Sequence, residues 1–194
     1  MFSRKERYMS DQFKITLAQL NATVGDLNGN AEKVMKAWEK ARDGRSNLIA
    51  FPELFITGYN PQDLILKPAF QKASTNMIKK IAEACSQGPA IAIGGPFCYE
   101  ENLYNAYYIL SDGKIQAIIK KHHLPNEEVF DEVRLFSSGN VDGPFQVDQM
   151  RIGSPICEDA WHTDIVETLA ETGAQTLLVP NGSPYYRGKT EIRQ

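Results

Sequence analysis

The chain has 194 residues, 42% of them hydrophobic, with 21 Lys and Arg against 24 Asp and Glu and a formal net charge of −3. That length and apolar content suit one folded domain and exclude a disordered chain. No apolar run approaches the roughly 18–20 residues of a membrane span, and a slightly acidic balance without a basic stripe argues against nucleic acid as the main partner. Three cysteines, Cys85, Cys98 and Cys157, are irregularly spaced. They fit neither a disulfide framework nor a zinc ribbon, so a reducing, cytoplasmic setting is expected.

Residues 1–12 read as a flexible leader and 13–194 as the domain. Phe13–Leu20 alternates with period two, as a strand does, and 21–30 reads as a turn region. Val34, Ala37, Trp38 and Ala41 then recur at helical spacing, with Gly44 just beyond the end. Leu48–Phe51 is a short buried strand running into Pro52-Glu53. The stretch from Pro61 to Ala84 is helical but carries Pro68, which predicts two pieces. Ala90–Ile93 is a strand closed by Gly94-Gly95-Pro96. Leu103–Leu110, Ser111-Asp-Gly113 and Lys114–Lys121 form a hairpin.

A loop with helical potential covers Pro125–Gly143. Phe145–Val147 and Met150–Ile152 predict a second hairpin whose second strand runs on towards Ile156 and stops at Cys157. Ile165–Glu171 is a helix with Gly173 as its stop, and Thr176–Val179 is a last strand. Two hairpins interrupt the strand–helix alternation, so the sheet content is mixed rather than purely parallel. Periodicity alone allows two face-to-face sheets or one sheet covered on both sides. The end, Lys189–Gln194, has the pattern of a helix cut off in its first turns, so the expectation is a truncated domain.

Several side chains could carry chemistry. Glu53 follows a strand and a proline, at the carboxyl end where α/β folds hold active-site groups, although a solvated loop carboxylate has the same local sequence. Cys157 ends a strand ahead of Glu158-Asp159-Ala-Trp161. Backbone N–H groups there would favour a thiolate and hold an oxyanion. Free cysteine is also among the most buried residue types, and local sequence by itself favours an inert core thiol. In Lys120-Lys-His-His123, strand alternation puts Lys121 and His123 on one face and Lys120 and His122 on the other. Adjacent strand histidines diverge and no third ligand has matching spacing, so no metal site is expected. A Cys157–His162 pair, five residues apart, would not share a helix face. Neither Gly25–Gly29 nor Gly94-Gly95 has the form of a phosphate-binding loop, so this chain by itself should not bind ATP.

Phe51-Pro-Glu53, Lys121-His-His-Leu124 and Ile156-Cys-Glu158, in that order, resemble the three blocks of the nitrilase, or carbon–nitrogen hydrolase, superfamily. Further blocks are Glu53–Leu64, Leu124-Pro-Asn126, Val129-Phe-Asp-Glu132, Cys157–Trp161 and Asn181–Tyr185. They resemble the amino-terminal glutaminase domain of glutamine-dependent NAD⁺ synthetases, over nearly everything from Phe13 onward. The resemblance implies an α-β-β-α sandwich and a Glu53–Lys121–Cys157 triad. Cys157 would attack the side-chain amide of glutamine, Glu53 would shuttle the proton and activate water, and Lys121 with the N–H after Cys157 would hold the oxyanion. It also implies Glu132 as the group that orients Lys121, and Tyr59, Glu158, Ser183 and Tyr185 as a glutamine pocket. Glu127 stands where the family commonly has an aromatic.

The same resemblance implies no cofactor in this chain, with ATP and Mg²⁺ needed only by a synthetase domain that is absent here, and a homo-oligomer built by pairing sandwiches. The alternatives are a free-standing amidase for another small amide, or a truncated fragment without catalysis.

Overall fold

The computed structural model describes residues 12–127, 130–183 and 187. The expected leader thus lies outside the described residues except for Gln12, and the 189–194 helical start lies wholly outside them. A five-stranded sheet has the order β1 (Ile15–Leu17), β2 (Leu48–Ala50), β3 (Ala90–Tyr99), β4 (Asn102–Ser111), β5 (Lys114–Lys120). Its first three strands are parallel, and β3, β4 and β5 pair antiparallel. A three-stranded sheet has the order β6 (Phe145–Val147), β7 (Met150–Gly153), β8 (Thr176–Leu177), with β6/β7 antiparallel and β7/β8 parallel.

Two apolar layers explain the stacking. On one face of the larger sheet, Ile49, Ile91, Ile93, Tyr108 and Leu110 meet Val34, Trp38, Ile78 and Ile81 of α1 (Leu27–Asp43) and α2 (Pro68–Ala84). On the other face, Leu48, Ala50, Ala92, Tyr107 and Ile109 meet Phe145, Val147 and Ile152 of the smaller sheet and Ile156 just beyond β7. The smaller sheet is covered in turn by α4 (Thr163–Glu171), whose Leu169 packs on Gly153. The result is an α-β-β-α sandwich, and the two-sheet option is the one realised. Burying a side chain such as Val34 or Ile78 contributes about 1.5–3 kcal/mol, so the period-two and period-3.6 patterns translate directly into these layers.

Local sequence also sets most element ends. Asp26 caps α1 by accepting the Gly29 N–H, and Gly44 follows its last residue. Pro68 stands at the first position of α2, where its missing N–H costs nothing, and separates it from a 3₁₀ turn at Gln62–Leu66. Asp112 and Gly113 both have positive φ, 55° and 76°, the requirement of a two-residue hairpin turn.

Four expectations need correction. β1 and β8 are shorter than their apolar runs. The turn region ends earlier, because α1 already begins at Leu27. β3 does not stop at Gly94 but continues to Tyr99, so Cys98 lies within it. The glycine is there for contact, since a Cβ on Gly94 would come 2.1 Å from the Leu54 nitrogen. Finally, β7 ends at Gly153, four residues before Cys157.

Candidate active site

β2 delivers the chain to Pro52-Glu53 and a buried turn in which Leu54 takes φ 48°. The β4/β5 ladder continues one step past Lys120, because the Lys121 N–H donates to the Asn105 carbonyl at 2.9 Å. That register turns Lys121 inward with a fully buried side chain, while Lys120 faces partly outward towards Asp142. Glu132 opens α3 (Glu132–Leu135), a single helical turn fixed by Leu135 and Phe136 against Leu54 and Ile65. Cys157 begins a 3₁₀ turn (Cys157–Trp161) with φ 50°. A positive φ costs a non-glycine residue on the order of 1 kcal/mol or more. Here the Cys157 N–H, bonded to the Pro180 carbonyl at 2.9 Å, holds the turn.

These elements converge on one buried centre. Lys121 Nζ lies 2.7 Å from Glu53 Oε1 and 2.8 Å from Glu132 Oε2. Asn105 Nδ2 donates to Glu53 Oε1 at 2.8 Å and to Glu132 Oε2 at 3.4 Å. The Gly182 N–H donates to Glu53 Oε2 at 2.8 Å. The Cys157 thiol lies close enough to the Glu53 carboxylate and the Gly182 N–H for both to act on its proton affinity. The Tyr59 hydroxyl donates to Glu132 Oε1 at 3.2 Å. Two carboxylates thus share one ammonium, which leaves the centre with one net negative charge.

That charge sets the proton positions. Burial first, then the Glu53 carboxylate, pushes the Cys157 thiol up to about 12, against the pull of Lys121 and the Gly182 N–H. The resting sulfur is therefore a thiol. Burial alone would lower the Lys121 pKa, but Glu53 and Glu132 outweigh it and hold it above the usual lysine value. Burial and the neighbouring Glu53 raise Glu132, partly offset by Lys121. A carboxylate beside a thiol, with a buried ammonium next to it, can serve as a general-base and nucleophile pair with a fixed cation. The first bond within the 3₁₀ turn is Asp159 N–H to Ile156 O. The Glu158 N–H ahead of it has no partner within the turn and is a further donor next to Cys157.

A cleft of about 610 Å³ opens beside this centre, lined by His123, Leu124, Pro125, Asn126, Glu127, Phe130, Glu158 and His162. Glu158 thus borders the cleft, as does Glu127. Tyr59 lies behind it, 6.5 Å ring to ring from Phe130, with its hydroxyl turned to Glu132. Ser183 is half-buried in the segment after Gly182. Tyr185 lies outside the described residues. Cys85 is buried against the Met35 sulfur at 3.5 Å, and Cys98 is exposed.

The residue-by-residue reading missed three members. Asn105 carried a signal, a lone amide inside the apolar Tyr104–Leu110 strand; its Oδ1 is buried without a partner among the described residues. Gly182 acts through its N–H and has no side chain to notice. Its Cβ would come 2.7 Å from the Tyr59 ring. Asp159 accepts backbone N–H bonds from Ile156 at 3.1 Å, His122 at 3.1 Å and His123 at 2.7 Å, and so ties the Lys121 loop to the Cys157 turn. The divergence expected of His122 and His123 does not occur, because β5 ends at Lys120 and both residues lie beyond it; their rings are 4.7 Å apart.

The family model described as carbon-nitrogen hydrolase matches residues 14–193. The chain is 50% identical to a glutamine-dependent NAD(+) synthetase of Rhodobacter capsulatus, over 96% of this chain and 34% of that protein. It is 41% identical to the protein of the same name from Aquifex aeolicus, over 93% and 32%. The chain therefore spans about a third of the length of these curated relatives. The solved glutamine-dependent NAD+ synthetase of Acinetobacter baumannii superposes with a TM-score of 0.85 at 31% identity, over 93% of this chain and 34% of that one. An amidase from Nesterenkonia sp. shares the fold, with a TM-score of 0.78 at 22% identity, over 92% of this chain and 68% of that one.

Proposed function

The chain belongs to the carbon–nitrogen hydrolase family, and we propose that this domain hydrolyses the side-chain amide of glutamine, with Cys157 as nucleophile, Glu53 as general base and Lys121 as the oxyanion-stabilising cation. The observation that carries the reading is Glu53 held 2.7 Å from Lys121 Nζ in one buried cluster, beside Cys157, whose proton affinity the same carboxylate raises. In the proposed cycle Glu53 takes the thiol proton as Cys157 attacks the amide carbon. Lys121 and the Glu158 N–H stabilise the oxyanion, and Glu53 returns the proton to the departing ammonia. A thioester remains. Glu53 then activates water, and glutamate leaves with the thiol restored. Glu132 positions Lys121 from its other side.

Glutamine as the substrate is supported by relatives whose names include it, matched over the same third of their length. In such a protein the ammonia would feed an ATP- and Mg²⁺-dependent synthetase domain that amidates nicotinic acid adenine dinucleotide. Glu158, on the cleft wall beside Cys157, has the charge to hold the substrate ammonium, with Tyr59, Ser183 and Tyr185 as its proposed neighbours. A homo-oligomer and a cytoplasmic location complete the proposal.

The test is labelling with a glutamine-shaped diazoketone, located by peptide mass spectrometry with and without competing glutamine. The expected result is one adduct, on Cys157, that glutamine suppresses and Cys157→Ala abolishes. An adduct that glutamine does not suppress, or preference for another small amide at equal concentration, would overturn the substrate assignment.

A further inference from the structure

All three histidines of the sequence meet where the chain leaves β5. The His123 ring stacks on His162 at 3.7 Å and 15°, and His122 stands edge-on to His123. One ring nitrogen of His122, one of His123 and one carboxylate oxygen of Asp164 all lie within 4.8 Å of one another. His123 Nε2 is 3.1 Å from Asp164 Oδ2. His122 Nδ1 lies 2.6 Å from the Gly139 carbonyl, which can only accept. In the neutral ring that contact puts the proton on Nδ1 and the lone pair on Nε2, the arrangement that metal-ligating histidines show.

The backbone holds the donors in place. Asp159 accepts the N–H groups of both His122 and His123, and Asp164 sits in the first turn of α4, where its Oδ1 receives the Ile165 N–H at 2.9 Å. His162, itself 3.4 Å from Glu158, backs the His123 ring. Donor atoms around a tetrahedral ion with bonds of about 2.0–2.2 Å stand about 3.3–3.6 Å apart. His123 Nε2 and Asp164 Oδ2, at 3.1 Å, already stand near that separation, and the Asp164 side chain is 58% exposed and free to adjust. Two imidazoles and one carboxylate suit borderline divalent ions rather than Mg²⁺ or Ca²⁺, which prefer all-oxygen sets.

We propose that His122, His123 and Asp164 form a binding site for one divalent transition-metal ion of the Zn²⁺ class, with water filling the remaining coordination. Because His123 and His162 also line the cleft, the ion would put positive charge on the cleft wall. It would also tie the segment after Lys121 to α4.

The test is calorimetric titration of the full chain with Zn²⁺, paired with Co²⁺ absorption spectra. One equivalent should bind with Kd on the order of 10 μM or tighter. Asp164→Asn and His123→Gln should each weaken it about tenfold or more, while Cys157→Ser and Cys98→Ser leave it unchanged. The Co²⁺ adduct should show d–d bands without thiolate charge transfer. Asp164 is a surface residue of α4, so its variant should keep the circular dichroism of the parent. The absence of a saturable equivalent would overturn the proposal. So would binding indifferent to Asp164→Asn and His123→Gln, or binding lost with either cysteine.

Discussion

At Cys157 the local environment opposes the reactive form: a net negative, desolvated centre holds the thiol up to about 12. The thiolate fraction below that value rises tenfold per pH unit. Alkylation of Cys157 by a small neutral reagent, followed by mass spectrometry, should therefore keep accelerating through pH 9 instead of levelling there. A plateau below pH 8 would contradict the charge assignment. Lys121 carries the opposite duty, offsetting part of the charge of two buried carboxylates. Truncating one partner of a buried ion cluster costs about 3–5 kcal/mol. Lys121→Ala should lose about that much in urea unfolding at neutral pH. With the cation gone, Glu132, already raised by burial and by Glu53, binds its proton more tightly folded than unfolded, so the variant should regain stability as pH falls towards 5.

Elements meet at the site through backbone groups as much as side chains. Asp159 holds N–H groups from both the Lys121 loop and the Cys157 turn. Each buried donor left without a partner costs about 1–3 kcal/mol. Asp159→Ala should therefore cost roughly 3 kcal/mol or more in chemical denaturation and slow glutamine hydrolysis, because the two loops lose their common anchor. Gly182 is the contact between the segment after β8 and the rest of the centre. Its N–H reaches Glu53 while its α-carbon rests on Tyr59. Gly182→Ala should keep the fold and reduce the rate of glutamate release at least about tenfold, since a displacement of this N–H strips a donor from Glu53.

At the scale of the whole molecule, both sheets contribute to the site: Glu53, Asn105 and Lys121 lie at one end of β2, β4 and β5 of the larger sheet, and Cys157 and Gly182 follow strands of the smaller one. Lys121 is held above its usual pKa by carboxylates from other segments. Its contribution to stability is complete below the unfolded lysine value of about 10.4 and is lost as pH rises through the higher folded value. Thermal unfolding followed by circular dichroism should therefore show Tm constant through pH 9 and falling above about pH 10.5. The Lys121→Ala variant should show a smaller alkaline loss, the remainder coming from Cys157, Cys85, Tyr107 and Tyr108, which burial also holds above their ordinary values.

The sequence by itself determined the elements whose cause is local. Apolar periodicity and Gly44 placed the body and end of α1, though not its start, Pro68 divided the 61–84 stretch, and Asp112-Gly113 closed the hairpin. The ordered blocks around Glu53, Lys121 and Cys157 made the family and a candidate triad legible. What only the tertiary structure decided depends on residues brought together from far apart. Gly94 reads as a strand end but serves a close approach to Leu54. Asn105 acquires its role only beside Glu53, and Gly182 donates an N–H that any residue type possesses. His122 and His123 find a third partner in Asp164, 41 residues on. Local pattern reports backbone preference and burial, whereas a charge cluster exists only once burial has removed the water that would otherwise screen it.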